Sequence, residues 1–563
     1  FYKLMNSIKK LKVGIIVDDI NQPYLVYDLY QKSLESNYYS IECLIIQKTN
    51  NLKNKNLLNK LIDFLKSKGL FRLIDRIIFE FIDQIETQIL KKKKKFKDFF
   101  LKHPISKFEV KKIYVNPDIS KSGLYYCYKN EDLNQIKNLN LDLLIRGGSG
   151  ILQGDILNLC PLGIISFHHG DNDFYRGGPP GFWEVYNREP STGFVIQRLT
   201  KVLDGGDIIF KGHVPTSFFY KLNVCKLFLK SSIFLHKTLE NLSKANTNLE
   251  FYKKKTYKSK IYKIPATYVS ILYLYKTLIL GTKKILNRIF GWSSKWNVAY
   301  QFINDWKDPI LSKSIIIKNP KNSFLADPFV IKYNNKTVIF VEDYSFKTRK
   351  GKISAYEINS ESYKKLGTVI EEEFHLSYPF LIEDKKDLFM VPETHQAKDI
   401  RIYRCMEFPL KWKLHKILIS DISAVDTNIF KFNNKYWLFT NLDTSNSNDY
   451  SSELHIFYAD NMESSEWKPH ALNPVIFDSK KARNGGMIYS EKKQAYRVFQ
   501  KQGFDNYGES LGISRIKTLT ENEYEEEVCM NVIPDFFKNI SGTHSFSYNS
   551  GVLVNDFATN ESI

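Results

Sequence analysis

The segment Gly163–Ile209 constrains this chain more than any other. It opens with a short apolar run, typical of a buried strand, that ends on two adjacent histidines, His168 and His169. A loop rich in glycine and aspartate follows, and a second β-rich run leads to the turn Leu203–Asp207. A histidine at a strand end and a carboxylate in a later glycine turn indicate an acid–base site at the carboxyl edge of a parallel sheet.

The spacing of these residues resembles the catalytic core of the folate-dependent formyltransferases, which include methionyl-tRNA, glycinamide-ribotide and amino-sugar formyltransferases. In that family an asparagine lies two positions before the catalytic histidine, Arg-Gly follows eight positions after it, and a Leu-Asp-x-Gly-Asp motif comes later. His168, Arg176 and Leu203–Asp207 fit this pattern, whereas Ser166 occupies the asparagine position. The resemblance implies a Rossmann-type α/β domain that uses 10-formyltetrahydrofolate as co-substrate, with no metal.

The resemblance assigns catalytic roles to His168, Asp204 and Ser166. His168 would take the proton from the attacking amine, and Asp204 would orient the imidazole and favour its charged form. Ser166 would donate one hydrogen bond to the oxyanion, directly or through water, with His169 or an amide of the Gly-Gly-Ser-Gly stretch as alternative donors. The expected folate-binding residues are Gly147, Gly148, Ser149, Gly150, Arg176, Gly177 and Gly205.

The length of 563 residues predicts more than one domain. We expect a formyltransferase-like α/β domain over 1–215, a helical connecting region over 216–300 and an all-β domain over 301–563. The helical stretch 51–100 is interpreted as an insertion whose apolar residues, including Leu73, Ile77, Ile78 and Phe81, pack on the domain. Six scattered cysteines without a CxxC pair, and no signal-peptide pattern, predict a cytoplasmic protein.

The positive charge is concentrated in the first 300 residues, which contain 48 Lys/Arg and 25 Asp/Glu, whereas the remainder contains 33 and 36. Such a basic half suits nucleic acid, an anionic membrane surface, or phosphorylated and polyglutamylated ligands. The run Lys91–Lys95 itself is best explained as a solvated helix face. For the helical stretch 51–100 the alternative to packing on the domain is an amphipathic, membrane-facing role, that is, peripheral membrane association. No nucleic acid is expected as partner, although charge alone does not exclude tRNA.

The second half alternates short β runs with turns, and one polar motif recurs about every 50 to 60 residues, the period of a propeller blade. This half resembles the five-bladed, glycosidase-like β-propeller of plant glucosamine inositolphosphorylceramide transferases. Innermost propeller strands direct polar side chains into a central funnel, which would hold a sugar or sugar phosphate. The alternative is that these residues only cap turns within blades. The expected sugar-site residues are Asp327, His375, Glu393, Asp426, Arg483 and His544.

Together these features predict an N-formyltransferase that acts on the amine of a nucleotide- or glycan-linked amino sugar, with the propeller binding the sugar. The alternative is an altered formyltransferase fold, impaired by Ser166, within a glycan-binding or glycosyl-transferring protein. Formylation of methionyl-tRNA is less favoured, because a propeller replaces the small β-barrel that the tRNA enzymes carry. The oligomeric state is not determined by the sequence.

Overall fold

The computed structural model describes residues 10–48, 69–202, 205–244, 252, 260–289, 292–489 and 494–562. The chain divides into two compact units, Phe1–Leu278 and Ile279–Ile563, which we call the first and second units. None of the described helices combines the length and hydropathy that a bilayer crossing requires.

The first unit contains a seven-stranded sheet with helices packed against it. The described helices are α1 (Tyr24–Glu35), α2 (Leu70–Lys91), α3 (Lys94–Lys97), α4 (Asn130–Lys137), α5 (Phe182–Asn187), α6 (Tyr220–Lys244) and α7 (Thr267–Ile289), of which α7 continues into the second unit. The strands are β1 (Leu11–Val17), β2 (Asn21–Pro23), β3 (Tyr39–Gln47), β4 (Lys102–Pro104), β5 (Lys111–Val115), β6 (Asp118–Ile119), β7 (Tyr125–Cys127), β8 (Leu143–Arg146), β9 (Ile151–Gln153), β10 (Ile164–His168), β11 (Arg176–Gly177), β12 (Ser191–Arg198), β13 (Asp207–Pro215) and β14 (Ile261–Tyr262).

The main sheet has the order β13-β12-β10-β8-β1-β3-β5. Strands β5, β3, β1, β8 and β10 are parallel, and β12 and β13 extend the sheet with antiparallel pairs. The central strand β1 is buried at nearly every position because helices cover a parallel sheet on both faces. The chain moves from β1 outward through β3 to β5 and then returns to β8 and β10 on the other side, so the topological switch lies between β1 and β8.

The second unit is built from antiparallel strands. They are β15 (Trp292–Phe302), β16 (Ile315–Ile317), β17 (Ser323–Tyr333), β18 (Lys336–Ser345), β19 (Lys350–Ile358), β20 (Tyr363–Ile370), β21 (Ser377–Asp384), β22 (Asp387–Glu393), β23 (Asp399–Glu407), β24 (Lys411–Ser420), β25 (Ala424–Phe432), β26 (Lys435–Leu442), β27 (Glu453–Ala459), β28 (Lys468–Pro469), β29 (Ile476–Phe477), β30 (Asn484–Tyr489), β31 (Ala495–Gly503), β32 (Asn506–Leu519), β33 (Tyr524–Val532), β34 (Ile540–Gly542), β35 (Phe546–Asn549) and β36 (Val552–Ser562).

These strands form five successive sheets. Three sheets are four-stranded meanders, formed by β17 to β20, β21 to β24 and β30 to β33. Strands β25 to β28 form the fourth sheet, and the short strand β29 also pairs with β27. The fifth sheet joins the two ends of the unit, because β15 pairs along its whole length with β36. Strands β17, β21, β25, β30 and β35 contact one another in that order, and β35 contacts β17 again. The first strands of the sheets therefore lie around a common centre.

Two of the four apolar residues expected to pack on the domain do not do so. Leu73 and Ile78 are half-buried, whereas Ile77 and Phe81 expose 54% and 62% of their surface. The inward side of the helix instead carries Phe79 and Ile82 together with the carboxylate Glu86. The first part of the predicted insertion, residues 51–68, lies outside the described residues.

Candidate functional site

A cavity of about 360 Å³ opens at the carboxyl ends of β1, β8 and β10, beside the start of α1. This is the topological switch of the sheet, where open α/β folds bind their ligands. The walls are largely apolar, as is usual for a ligand pocket, and the polar groups are few. The lining residues are Ile15, Pro23, Tyr24, Leu25, Val26, Leu29, Phe99, Ile145, Arg146, Gly147, Gly148, Ser166, Phe167, His169, Phe228, Ser232 and Leu235.

The predicted glycine-rich loop borders this cavity directly after β8. Asp18 fixes the loop, because its Oδ2 accepts a hydrogen bond of 2.5 Å from the Ser149 amide. A Cβ on Gly148 would lie 2.7 Å from the same carboxylate, so only glycine fits there without a shift. Gly150 has φ +82° and its Cα faces the ring of Tyr126, where a Cβ would lie 2.6 Å from ring carbons. The loop therefore presents backbone, not side chains, at the cavity.

The predicted catalytic histidine is held by the loop that follows it. His168 Nε2 lies 2.9 Å from the carbonyl oxygen of Tyr175, so Nε2 carries the proton and Nδ1 is the basic nitrogen of the ring. Asp171 anchors this loop through Lys211 Nζ at 2.5 Å and His213 Nε2 at 3.0 Å. Burial raises the pKa of Asp171, but the hydrogen bonds from His213 and Lys211 outweigh it and hold the pKa well below its usual range.

The two side chains predicted as oxyanion donors use their protons elsewhere. His169 is stacked on Phe228 with ring centroids 3.6 Å apart, and burial, with the neighbouring His168, lowers its pKa to about 3. Its Nε2 lies 2.9 Å from Ser231 Oγ, and because Ser231 donates to the Phe228 carbonyl, the histidine must be the donor in this pair. Ser166 Oγ donates to the Phe167 carbonyl at 3.1 Å. Neither proton points to the cavity.

The structure supports the remaining predicted residues of this site only in part. Asp204 lies outside the described residues, and its neighbour Gly205 is buried, with its carbonyl accepting from Thr200 Oγ1 at 3.3 Å. Arg176 and Gly177 form the short strand β11, which pairs with β14 rather than lining the cavity described above. The folate-binding roles of Arg176, Gly177 and Gly205 and the catalytic role of Asp204 stay predictions.

The second unit has a repeated backbone feature at its centre. The first strands of four sheets each contain an irregularity in register near their start, between Ala326 and Phe329 in β17 and at the corresponding places in β21, β25 and β30. The backbone adopts positive φ at each one, at Asp327, Tyr378, Asp426 and Gly486. Non-glycine residues rarely adopt this conformation, and its clustering points to a functional site.

The second strands contribute a matching ring of polar residues that the sequence analysis missed as a set. Each of these strands places one buried polar residue opposite the start of the first strand. These residues are Glu342, Glu393, Asn441, Gln500 and Asp556. Of these only Glu393 was predicted as a site residue. The others share no uniform sequence pattern, because the same strands carry the further buried polar residues Thr440, Arg497 and Asn555.

Asp426 and Arg483 form one side of the central cluster. Arg483 Nε lies 2.7 Å from Asp426 Oδ2, which also accepts from Gln500 Nε2 at 3.0 Å. Burial raises the pKa of Asp426 to about 6, although Arg483 opposes the rise. The guanidinium lies 4.8 Å from the centroid of Tyr507, whose ring exposes 42% of its surface, so this side of the cluster reaches solvent.

His544 joins two carboxylates on the other side. Its Nδ1 lies 2.7 Å from Asp556 Oδ2 and its Nε2 lies 3.7 Å from Asp327 Oδ1. The imidazole is stacked on Trp296 at 3.8 Å between centroids. Burial alone would lower the pKa of His544, but Asp556 and Asp327 outweigh it and raise the pKa, whereas burial raises the pKa of Asp327 to about 7.

The other predicted residues lie in the same cluster. His395 Nδ1 lies 2.7 Å from Glu393 Oε1; burial raises the pKa of Glu393, but this contact and the charge of Arg483 hold it below its usual value. His375 accepts at Nδ1 from the amide of Gly351, and burial lowers its pKa. The charges of the cluster act on one another, because Asp426, Asp556 and Glu393 all raise the pKa of Asp327.

The structure thus brings all six predicted residues of the second unit together and adds others. The cluster contains ionised and neutral carboxyls, imidazoles, a guanidinium and two aromatic faces, which is the mixture of donors, acceptors and stacking surfaces that sugars require. In the described residues, Asp327, His544 and Asp556 bring three potential metal-ligand atoms within 4.8 Å of one another. Asp556, however, already accepts from the amides of Asp327, His544 and Ser545.

Comparisons with known proteins agree with the division of the chain into two units. Residues 291–545 match the family described as "Glucosamine inositolphosphorylceramide transferase 1, N-terminal". The rice (Oryza sativa subsp. japonica) protein of that name is 30% identical over 264 residues, which are 46% of this chain and 34% of that protein. The second unit is therefore similar to the amino-terminal part of these transferases.

The first unit is similar to formyltransferases. Methionyl-tRNA formyltransferase of Ruminiclostridium cellulolyticum is 36% identical over 88 residues, which are 16% of this chain and 28% of that enzyme. The crystal structure of glycinamide ribonucleotide transformylase 1 from Symbiobacterium toebii aligns with 42% of this chain and 89% of its own, at 10% identity and a TM-score of 0.28. The chain spans about a third of the length of the curated relatives it matches.

Proposed function

We propose that the first unit transfers a formyl group from 10-formyltetrahydrofolate to the amine of a nucleotide- or glycan-linked amino sugar, and that the second unit binds the sugar. The observation that carries this proposal is the cavity at the topological switch, which is bordered by the glycine-rich loop and by Ser166 in β10. The similarity to formyltransferases supports the reaction type. The buried polar cluster of the second unit supports the sugar acceptor.

The residues around the cavity fit a folate. The apolar walls, including Leu25, Leu29 and Phe228, suit a flat ring system, and the backbone of Gly147 and Gly148 supplies polar groups at one end. The excess of Lys/Arg over Asp/Glu in the first 300 residues favours an anionic ligand such as the glutamate tail. When bound, the folate supplies a formyl carbon that is open to attack by an amine.

In this proposal the amine forms the new C–N bond, the bond to N10 of the folate breaks, and the proton lost by the amine moves to N10. His168 relays this proton through Nδ1, because Tyr175 fixes Nε2 in its protonated form. The oxyanion needs a donor. In the described part of the chain no group accepts a hydrogen bond from the Gly148 amide, whereas the flanking Gly147 and Ser149 amides are bound. Gly148 N–H is our candidate donor, and Ser166 becomes one if its hydroxyl rotates.

For the second unit we propose that the five sheets are the blades of a β-propeller and that the cluster around Asp327 and Asp426 is its sugar site. The cyclic contacts of the five first strands support this architecture. The exposed face of Tyr507 beside Arg483 suits stacking on a sugar ring together with a charge-assisted contact to a phosphate.

A second candidate function remains because Ser166 donates to the Phe167 carbonyl instead of the cavity. In this version the first unit binds a ligand without turnover, and the protein acts in glycan binding or glycosyl transfer through the second unit.

Calorimetric titration with 5-formyltetrahydrofolate tests the first unit. We expect micromolar binding by the parent protein, by His168→Ala and by the control His415→Ala, whose side chain lies in the second unit. Turnover with amino-sugar nucleotides should fall at least ~100-fold in His168→Ala alone, because the proton relay is lost. Absence of binding by the folded parent protein would refute the formyltransferase assignment, and binding without turnover on any amino sugar would favour the second candidate.

A further inference from the structure

The orientation of α2 is fixed by two carboxylates on its inward side. Asp75 Oδ1 accepts from the amide and from Oγ1 of Thr267, at 2.6 and 2.9 Å. Glu86 accepts from the hydroxyl of Tyr273 and, at 2.8 Å, from the Lys221 amide. Rotation of the helix about its axis would break all four hydrogen bonds and leave buried polar groups without partners. The orientation of α2 is therefore set by these polar contacts together with the burial of Phe79, Ile82 and Leu90.

The exposed side of α2 carries a row of apolar residues from Leu70 to Ile89, a length of roughly 29 Å. Beside this row lie the exposed polar residues Arg72, Arg76, Glu80, Gln84 and Gln88. Phe71 is the most exposed at 84%. The row consists of Leu70, Phe71, Ile74, Ile77, Phe81, Ile85 and Ile89.

The first part of α7 adds a second row beside the first. Asp75 and Glu86 bind Thr267 and Tyr273, so α7 lies next to α2 within the first unit. While Val269, Ser270 and Tyr273 face inward, the opposite side exposes Tyr268, Ile271, Leu272, Leu274, Tyr275 and Leu278. We call the two rows together the apolar face. Exposed apolar rows on two neighbouring helices are unusual on a protein that has no partner for them.

Lysines lie at the end of the α2 row, and the sequence around α7 is also basic. The exposed run Lys91–Lys95 follows directly at the end of α2, and Lys97 continues it. Residues 251–300, which include α7, contain eleven Lys/Arg and no Asp/Glu. An apolar helix face with lysines at its edge matches the layered chemistry of an anionic bilayer, whose phosphates lie beside its acyl chains.

We propose that the apolar face docks the first unit onto the surface of an anionic phospholipid bilayer. The phenylalanine and isoleucine side chains of α2 enter the interface, and the lysines that follow contact the headgroups. A second copy of the chain is the alternative occupant, but its matching face carries the same positive charge and offers no anionic groups to the lysines, unlike an anionic bilayer. Docking in this way would place the sugar-modifying site next to membrane-linked acceptors, but the docking itself requires no folate or sugar.

Vesicle flotation with the full chain tests this proposal. The probes are vesicles of phosphatidylcholine alone and of phosphatidylcholine with 30 mol% phosphatidylserine. We expect binding to the anionic vesicles that falls as salt rises. Lys92→Gln with Lys94→Gln should lower the partition coefficient by roughly 30-fold, the loss expected for two lysines near an anionic surface. Phe71→Ser with Phe81→Ser should abolish binding.

A matched control replaces equally exposed apolar residues elsewhere, Leu124→Ser with Met406→Ser. All four apolar positions are exposed, so folding should be retained, which circular dichroism verifies. Equal vesicle binding by the Phe71/Phe81 variant, or no binding by the parent protein, would overturn the proposal. Sedimentation velocity tests whether a second copy of the chain covers the face instead. A dimer of the parent protein that dissociates in the Phe71/Phe81 variant would assign the face to a second copy and would also overturn the proposal.

Discussion

Asp327→Asn should stabilise the second unit at alkaline pH while removing the sugar site that we propose there. The Asp327 carboxyl is buried and its one charged contact is His544 Nε2 at 3.7 Å, so burial raises its pKa from 3.8 to about 7. In the folded chain the proton is therefore retained up to pH 7, whereas the unfolded chain releases it near pH 4. Protonated Asp327 therefore makes its full contribution to the free energy of unfolding below pH 4. That contribution falls by about 4 kcal/mol in total as the pH rises to 7.

Asparagine has the same shape as aspartate and tolerates the positive φ of +49° at this position. Because it does not ionise, the free energy of unfolding should no longer fall between pH 4 and pH 7. We expect Asp327→Asn to be about 3 to 4 kcal/mol more stable than the parent at pH 8 and nearly equal to it at pH 4. Six of the seven tryptophans lie in the second unit, so their fluorescence in urea reports its unfolding. The variant should no longer bind the sugar nucleotide, whereas folate binding should be unchanged.

The control is Asp421→Asn, an exposed aspartate with a similar φ of +57°, which should change neither property. The reasoning would be refuted if Asp327→Asn destabilised the second unit at pH 8, or if the pH dependence of its unfolding free energy matched that of the parent. Either result would mean that Asp327 is a structural residue with favourable partners rather than a strained site residue.

Three other substitutions test separate parts of the structure. Ser166→Asn restores the amide donor of related formyltransferases and should raise formyl transfer roughly 10- to 100-fold in a mass-spectrometric turnover assay; unchanged turnover would assign the oxyanion donor to another group. Gly150→Ala, at φ +82° and against the Tyr126 ring, should destabilise the first unit by about 2 kcal/mol, and an unaltered thermal midpoint would contradict this. Arg497→Met leaves Glu526 buried without its partner and should cost about 3 to 5 kcal/mol in urea unfolding; a loss below about 1 kcal/mol would show that the pair is dispensable.

Much of the local structure was predictable because its signals lie close together in sequence. Apolar runs of alternating or continuous hydrophobic residues form β1 and β3, and residues at helical spacing form α1. The predicted residues Gly147, Gly148 and Ser166 line one cavity, as their positions after β8 and in β10 implied. The apolar pattern of α2 did not show which of its residues are buried, because Asp75 and Glu86 share the inward side with Phe79 and Ile82.

The sequence by itself determined where strands, glycine turns and catalytic residue types occur, since these depend on neighbouring residues and on the alternation of apolar and polar positions. Only the tertiary structure decided which of these residues meet. The recurring motif predicted that the first strands of the sheets converge, but only the packed sheets show that Glu342, Asp556 and Trp296 join the cluster around Asp327. The same is true of proton positions: Ser166 and His169 are directed away from the cavity by Phe167 and Ser231, which are contacts that exist only once the chain has packed.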